Sequence, residues 1–310
     1  MKDGDNLNLK RQLYYAVQQC CKFGADKHSS KNQNYVNKSN IYSYADRRNL
    51  LNIYSQFSNY LKENNIEIKM CKDLNYKHIQ SFLNNKAKTC NRETLKCYFS
   101  AFNKLGYIIN FCYHTNISLN GYVLPPTTNN TKLRNISMTK EDFNKIQNYL
   151  NNSQGFGKIG LQIAKISGMR SEEICKLKYK DVNILGNSAK IKVVDAKGKR
   201  NREILVTKTG DVNYLKSLIC TGTDLNSRIC PIQSDSLNRS IRRAMQATDI
   251  DKKYPNTTIH SIRKMYSQDL YSELRCQGYT PQQSWNQVSK SLGHGENRPD
   301  LLKIYISNLY

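Results

Sequence analysis

Three short stretches carry the side chains that chemistry uses. "SGMRSEE" sets Arg170 at a Ser-Gly corner where one helix gives way to the next, with Glu173 one turn further on. "HSIRKMYSQDLY" sets His260 and Arg263 three residues apart, which on a helix means one face and one common target. "SLGHG" sets His294 between glycines, at a corner where the ring can leave the helix and enter a cleft. Two guanidiniums, permanently charged and able to donate paired hydrogen bonds, suit the non-bridging oxygens of a phosphodiester. Imidazoles beside them add a hydrogen bond or move a proton near neutrality. Each stretch also has a plainer reading: a surface ion pair, a solvated helix face, a satisfied structural histidine. The closing "LLKIYISNLY" adds Tyr305 and Tyr310 in a chain with 21 tyrosines, so core packing is the ordinary expectation for either.

The elements that must position these residues read as follows. "GYVLPPTTNNTKLRN", residues 121 to 135, breaks the helical patterning with paired prolines, threonines and asparagines, and puts a domain boundary near 130. Upstream, "YADRRNLLNIYSQFSNYLKENN" and "NRETLKCYFSAFNKLGYIINFCYHTN" repeat apolar residues at three and four, as long amphipathic helices do, with "DLNYKHIQSFLNNKA" a shorter helix between. Residues 24 to 40 are polar without a period and read as a loop or arm. Downstream, Thr139 and Asp142 stand at capping-box spacing before a helix, and a second helix begins near Ser171. "AKIKVVDAKGKRNREILV" alternates on either side of Lys197-Gly198-Lys199, a β-hairpin with a basic turn. From Asp235 on the chain reads as helical. The fold class is therefore mainly α, with one small antiparallel sheet in the second domain.

Composition narrows the partner. Lys and Arg number 48 against 24 Asp and Glu, a net +24 that favours a polyanion over a neutral substrate. Residues 1 to 130 contribute 18 basic and 8 acidic side chains and the remainder 30 and 16, so both halves share the surplus. A ribosomal or nucleoid protein would carry similar charge. No apolar run approaches a membrane span, and Met1 to Lys10 lacks the apolar centre of a secretory signal, so a cytoplasmic protein is expected. The ten cysteines form no paired C-x-x-C knuckles and read as reduced, packing thiols. Acidic residues are too scattered for a two-metal nuclease, and no metal is expected.

Taken in order, Arg, basic hairpin turn, His-x-x-Arg, Leu-Gly-His and then Tyr, the succession resembles the tyrosine recombinase family, also called the phage integrase family. The resemblance covers residues 135 to 306 in its motifs and extends more loosely to the helical first domain, which looks like the family's DNA core-binding domain. It implies a core-binding domain with a polar N-terminal arm over 1–130 and an α-rich catalytic domain with a small antiparallel sheet over 131–310. It implies that Tyr305 attacks the scissile phosphate and forms a 3′-phosphotyrosyl link, with Arg170, Arg263, His260 and His294 around the phosphate. A free phenol ionises at about pH 10, so the cations and a base must assist it. By the same resemblance Lys197 protonates the departing 5′-oxygen, with Lys199 the runner-up, and Glu173 orients Arg170 or a histidine. Neither metal nor nucleotide cofactor is implied. The implied partners are double-stranded DNA, further copies of the chain in a tetramer on two DNA sites and, in some settings, accessory DNA-bending proteins.

The resemblance points to a site-specific recombinase serving a mobile element or phage. A type IB topoisomerase-like or telomere-resolving enzyme would use a similar residue set, and a non-catalytic basic DNA-binding protein is the reading from another class. Candidate DNA-facing residues are Arg92 and Lys96 on the fourth helix of the first domain, Lys199 and Arg200 of the hairpin turn, and Arg242 and Arg243 in "NRSIRRAMQ"; solvated faces explain them nearly as well. Two departures stand out. The 33 residues between His260 and His294 exceed the family's usual step, and "LRCQGYTPQQSWNQVSK" reads as a longer loop whose Trp285 touches DNA, touches a neighbouring protomer or packs a core. Only Ile306 to Tyr310 follow Tyr305, where many members continue into a helix that docks on the next protomer. Assembly is then expected to use the Tyr305 segment, the first domain or the N-terminal arm.

Overall fold

The computed structural model describes residues 8–25, 36–127, 129, 136–194, 201–219, 222–255 and 257–306. The chain divides into two compact units, Met1–Thr131 and Lys132–Tyr310.

The first unit is helical: α1 (Leu9–Gln19), α2 (Val36–Ser39), α3 (Tyr44–Glu63), α4 (Tyr76–Ala87) and α5 (Arg92–Tyr113). Side-chain caps start four of them. Asn8, Ser43, Asn75 and Asn91 each turn an oxygen onto first-turn amides that have no partner within the helix. The apolar faces of α3, α4 and α5 meet at Phe57, Phe82 and Phe102, whose rings pack edge to face with centroids 5.0 to 5.6 Å apart. The buried Tyr54 hydroxyl donates to the Ala101 carbonyl at 2.8 Å, so this ring brings a satisfied polar tip into the core. Two expectations are corrected here. Residues 36–39 of the supposed loop form α2, and Arg92 and Lys96 therefore lie on the fifth helix, not the fourth.

The second unit runs α6 (Lys140–Asn151), α7 (Gly157–Ser167), α8 (Ser171–Lys176), then strands β1 (Val182–Leu185), β2 (Ser188–Val193) and β3 (Arg202–Val206), followed by α9 (Thr209–Leu218), α10 (Ser234–Ala247), α11 (Ile259–Cys276), α12 (Pro281–Ser291) and α13 (Pro299–Tyr305). The sheet is antiparallel, in the order β1-β2-β3. It has one strand more than the hairpin read from sequence, because Val182–Leu185 joins β2 through a two-residue turn whose Gly186 has φ +60°. The helix α9 was likewise not foreseen. Thr139 caps α6 by accepting from the Asp142 amide at 3.1 Å, but Asp142 does not complete the box. Its carboxylate instead accepts from the Tyr254 hydroxyl at 2.7 Å and from Lys253, tying α6 to the loop after α10.

The expected long loop around Trp285 does not exist. Thr280 caps α12 reciprocally with Gln283, with Pro281 in the first turn where its missing N–H costs nothing. The extra length is thus a folded helix, and Trp285 is a core residue, 1% exposed. It gathers with Tyr271, Val288, Leu292, Tyr305 and Ile306 into a cluster separate from the main core of the unit. Among the described residues no helix is long and apolar enough to cross a membrane.

Candidate active site

The first wall of the site is a corner. Gly168 ends α7 at φ +60°, and a Cβ there would sit 2.3 Å from Cδ1 of Tyr266, so both conformation and space require glycine. The turn delivers Arg170 as the N-cap of α8. Glu173 sends one carboxylate oxygen back to the Arg170 amide and the other to its guanidinium, each at 2.9 Å. This is no surface ion pair, since the Glu173 side chain is 4% exposed. Its second partner is Arg202, at the start of β3, which donates to the two carboxylate oxygens at 3.2 and 2.7 Å and through Nε to the Ser291 carbonyl at 2.7 Å. Burial opposes ionisation of Glu173, but the Arg202 hydrogen bonds and charge, helped by Arg170, outweigh it and hold the carboxyl at about 2. Sequence reading missed Arg202. The signal was there: the alternation of β3 turns residues 202, 204 and 206 to one face, the face that buries Ile204 and Val206.

The second wall is α11, which carries His260 and Arg263. Arg263 is 1% exposed, and its guanidinium donates to the Gly168 carbonyl and to the Leu292 carbonyl, the latter at 2.6 Å. The Leu292 oxygen also lies 3.5 Å from Nη1 of Arg170, so one backbone carbonyl gathers both guanidiniums. Burial lowers Arg263 to about 10, and a guanidinium so placed stays charged at neutral pH. Among the described residues its buried Nε meets no acceptor.

The third wall follows α12. Gly293, at φ +76°, leaves no room for a side chain, because a Cβ would meet Nη1 of Arg202 at 2.9 Å. The turn is closed by the His294 amide donating to the Ser289 carbonyl and by the Ser289 hydroxyl donating to the Gly295 carbonyl. His294 thereby points inward, its Nε2 lying 3.1 Å from the Tyr305 hydroxyl and 3.4 Å from Nη2 of Arg263. Burial first, and then the charges of Arg263, Arg170, Arg298 and Arg202, push this imidazole down to about 4. Tyr305 is the last residue of α13 and is 6% exposed. Its ring centre lies 5.3 Å from that of His294 and 5.7 Å from that of His260, which meets it edge-on, and the Arg263 guanidinium stands 5.7 Å from the same centre. Trp285 backs the phenol and anchors the start of α13 by donating its indole N–H to the Arg298 carbonyl at 2.9 Å.

Arg170, Glu173, His260, Arg263, His294 and Tyr305, scattered over 136 positions of sequence, thus converge on one place. The profile of the phage integrase family matches residues 137–295, half of the chain. The chain belongs to the phage integrase family, the tyrosine recombinases. Solved integrase-family structures share its fold. The XerH site-specific recombinase bound to its difH substrate in a pre-cleavage complex is 16% identical, with 95% of this chain and 90% of that one covered and a TM-score of 0.60. The XerH post-cleavage complex with palindromic difH is also 16% identical, covering 98% and 93% at a TM-score of 0.62. A lambda integrase tetramer bound to a Holliday junction is 15% identical, covering 89% and 76% at 0.59. No curated protein matches this chain.

Lys197, Lys199 and Arg200 lie outside the described residues. Arg92 and Lys96 are exposed at the start of α5, and Lys96 is paired with Glu93 at 2.7 Å. On α10, Arg242 is half-buried with Nη1 3.4 Å from the Tyr254 carbonyl, which gives it a bracing contact, whereas Arg243 is exposed. A cavity of about 390 Å³ beside Glu173 is lined by Lys176, Lys178, Lys180, Lys192 and Arg228, a basic surface the sequence reading did not single out. Among the described residues no three His, Cys, Asp or Glu side chains are grouped as a metal site. The described cysteines are free thiols, and Cys20, Cys71, Cys175 and Cys230 pack in the cores.

Proposed function

We propose that this chain is a site-specific DNA recombinase that cuts and rejoins double-stranded DNA through a 3′-phosphotyrosyl link at Tyr305, serving the integration or excision of a mobile element. The observation that carries the reading is the Tyr305 hydroxyl held 3.1 Å from His294, beside the guanidinium of Arg263. Such a phenol can exchange one phosphodiester for another, so the bond energy of the DNA is kept in the covalent link. Arg263 and Arg170 hold the non-bridging oxygens and oppose the charge that grows on them as phosphorus becomes five-coordinate. Glu173 keeps the Arg170 fork in place. Family likeness alone assigns Lys197 as the donor of a proton to the departing 5′-oxygen. Arg92, Lys96, Arg242, Arg243, Lys199 and Arg200 are proposed phosphate contacts that set register without reading sequence, and the likeness to a tetrameric lambda integrase complex supports a tetramer on two DNA sites.

The test is covalent capture. Nicked suicide duplexes carrying a randomised segment are incubated with the full chain, protein-linked DNA is recovered, and the captured sequence names the site. Adduct is expected from the wild-type chain and none from Tyr305→Phe. Adduct that survives Tyr305→Phe and disappears in Tyr310→Phe would move the nucleophile. Joining of two captured sites, in place of relaxation of supercoils alone, separates a recombinase from a topoisomerase-like enzyme.

A further inference from the structure

The side-chain amide of Asn238, on α10, joins the two helix starts that carry Arg170 and His260. Its Nδ2 donates to the Ser171 hydroxyl at 3.2 Å and to the Ser234 carbonyl at 2.9 Å, while its Oδ1 accepts from the Thr258 hydroxyl. The Ser234 carbonyl has no proton to give, so the nitrogen must face it and the oxygen must face Thr258. Both ends of the amide then lead to the site. Ser171 opens α8 directly after Arg170, and Thr258 is the N-cap of α11, two residues before His260.

Thr258 forgoes its local role for this contact. A threonine at a helix start ordinarily accepts from a first-turn amide, as Thr139 does at the head of α6. The Thr258 hydroxyl makes no such bond, and its proton points across to α10. Its carbonyl is held by Ser261, which donates to it through the amide at 3.0 Å and the hydroxyl at 2.7 Å. Thr258 therefore moves with the first turn of α11, where His260 lies. Arg263, one turn further along, is tethered separately by the Gly168 and Leu292 carbonyls.

We infer that Asn238 is a positioning residue for DNA cleavage: it fixes the head of α11, with His260, against the head of α8, with Arg170, so that both side chains meet one phosphodiester. The inference rests on the recombinase reading above and deepens it. Asn238 acts through Ser171 and Thr258, and removing it takes away no charge that grips DNA. A displacement of about 1 Å between groups that share a reacting phosphate is enough to slow the chemistry about 100-fold. Rate and affinity should therefore separate.

Single-turnover adduct formation on the captured suicide duplex, measured beside DNA affinity, tests this. Asn238→Leu keeps the size of the side chain and removes the bridge. Its rate should fall about 100-fold, with DNA affinity unchanged. Thr258→Val, which has the same shape and removes no cap, should reproduce that loss, and Thr258→Ser, which keeps the hydroxyl, should retain the wild-type rate. Asn238→Leu combined with Thr258→Val should be no slower than either alone, because both break one bridge. A further combination separates positioning from packing. In the Asn238→Leu background, His260→Gln should cost much less than it does in the wild-type chain, whereas Arg263→Lys should cost its full amount. Full additivity of His260→Gln with Asn238→Leu overturns the inference, as do wild-type rates in both Asn238→Leu and Thr258→Val. The side-chain amide protons of Asn238 in the full-length wild-type chain give an answer that does not depend on a variant folding: slow exchange with solvent is required, and exchange as fast as that of an exposed amide overturns the assignment. Failure of the wild-type chain to form any adduct would remove the recombinase reading and this one with it, whereas adduct at wild-type rates in the two bridge variants removes this one alone.

Discussion

Glu173 shows how one side chain sets the behaviour of its neighbours. Removing a partner from a buried, hydrogen-bonded ion pair leaves the other charge stranded, at a cost of about 3–5 kcal/mol. Arg202→Ala should therefore destabilise the second unit by that order in chemical denaturation. Arg202→Lys should recover only part of the loss, since an ammonium cannot reproduce the fork that meets both carboxylate oxygens. The same pair gives a pH prediction. The folded value of Glu173, about 2, lies below its ordinary 4.5, so the stability it contributes is present in full above pH 4.5 and lost as pH falls toward 2. His294 acts in the same direction over a higher window, because its folded value of about 4 lies below the ordinary 6.5, and the unfolded chain binds that proton first. Acid titrations followed by circular dichroism should show the step between 4.5 and 2 weakened in Glu173→Gln, with the 6.5 to 4 window retained.

At the scale of elements, α13 is the part that cannot stand alone. Seven residues make two turns, too few for a stable isolated helix, so its place depends on the Trp285 cluster. Trp285→Ala removes the largest buried side chain there, and a loss of about 3–5 kcal/mol is expected. Adduct formation should fall more than DNA affinity does, as single-turnover rates beside gel shifts would show, because the mutation loosens Tyr305 while leaving the guanidiniums in place. This dependence also explains what the sequence did and did not disclose. That Arg170, Glu173, His260, Arg263, His294 and Tyr305 gather in one place was legible because each lies in a short motif whose order carries meaning. Arg202 was not, since it has no motif and becomes significant only when β3 brings it against Glu173. The long helices α3 and α5 were legible from period alone. By contrast α12 was mistaken for a loop, because polar residues in "TPQQSWNQVSK" obscure a narrow apolar face made by Trp285 and Val288. The 390 Å³ basic cavity escaped for the same reason as Arg202, as its lysines and arginine come from separate elements.

For the whole molecule, charge and cores make separate predictions. Each unit buries its own hydrophobic cluster, so residues 1–131 and 132–310, expressed apart, should each unfold cooperatively, a result calorimetry would show directly. With a net +24 spread over both halves, DNA affinity should fall steeply with salt, by about 10³–10⁵ between 50 and 200 mM if six to ten phosphates are met. A flat response in titrations across that range would contradict a broad phosphate interface. The two-turn helix bearing Tyr305 has one further consequence, in the order of synthesis. Of the converging residues Tyr305 is the last to be made, and it docks on a cluster built with Tyr271 of α11 and Trp285 and Val288 of α12. Its docking waits until the last helix of the second unit has been made. A half-made chain can therefore already grip DNA electrostatically while lacking Tyr305, and under the proposed function strand breakage waits until the fold around that residue is complete.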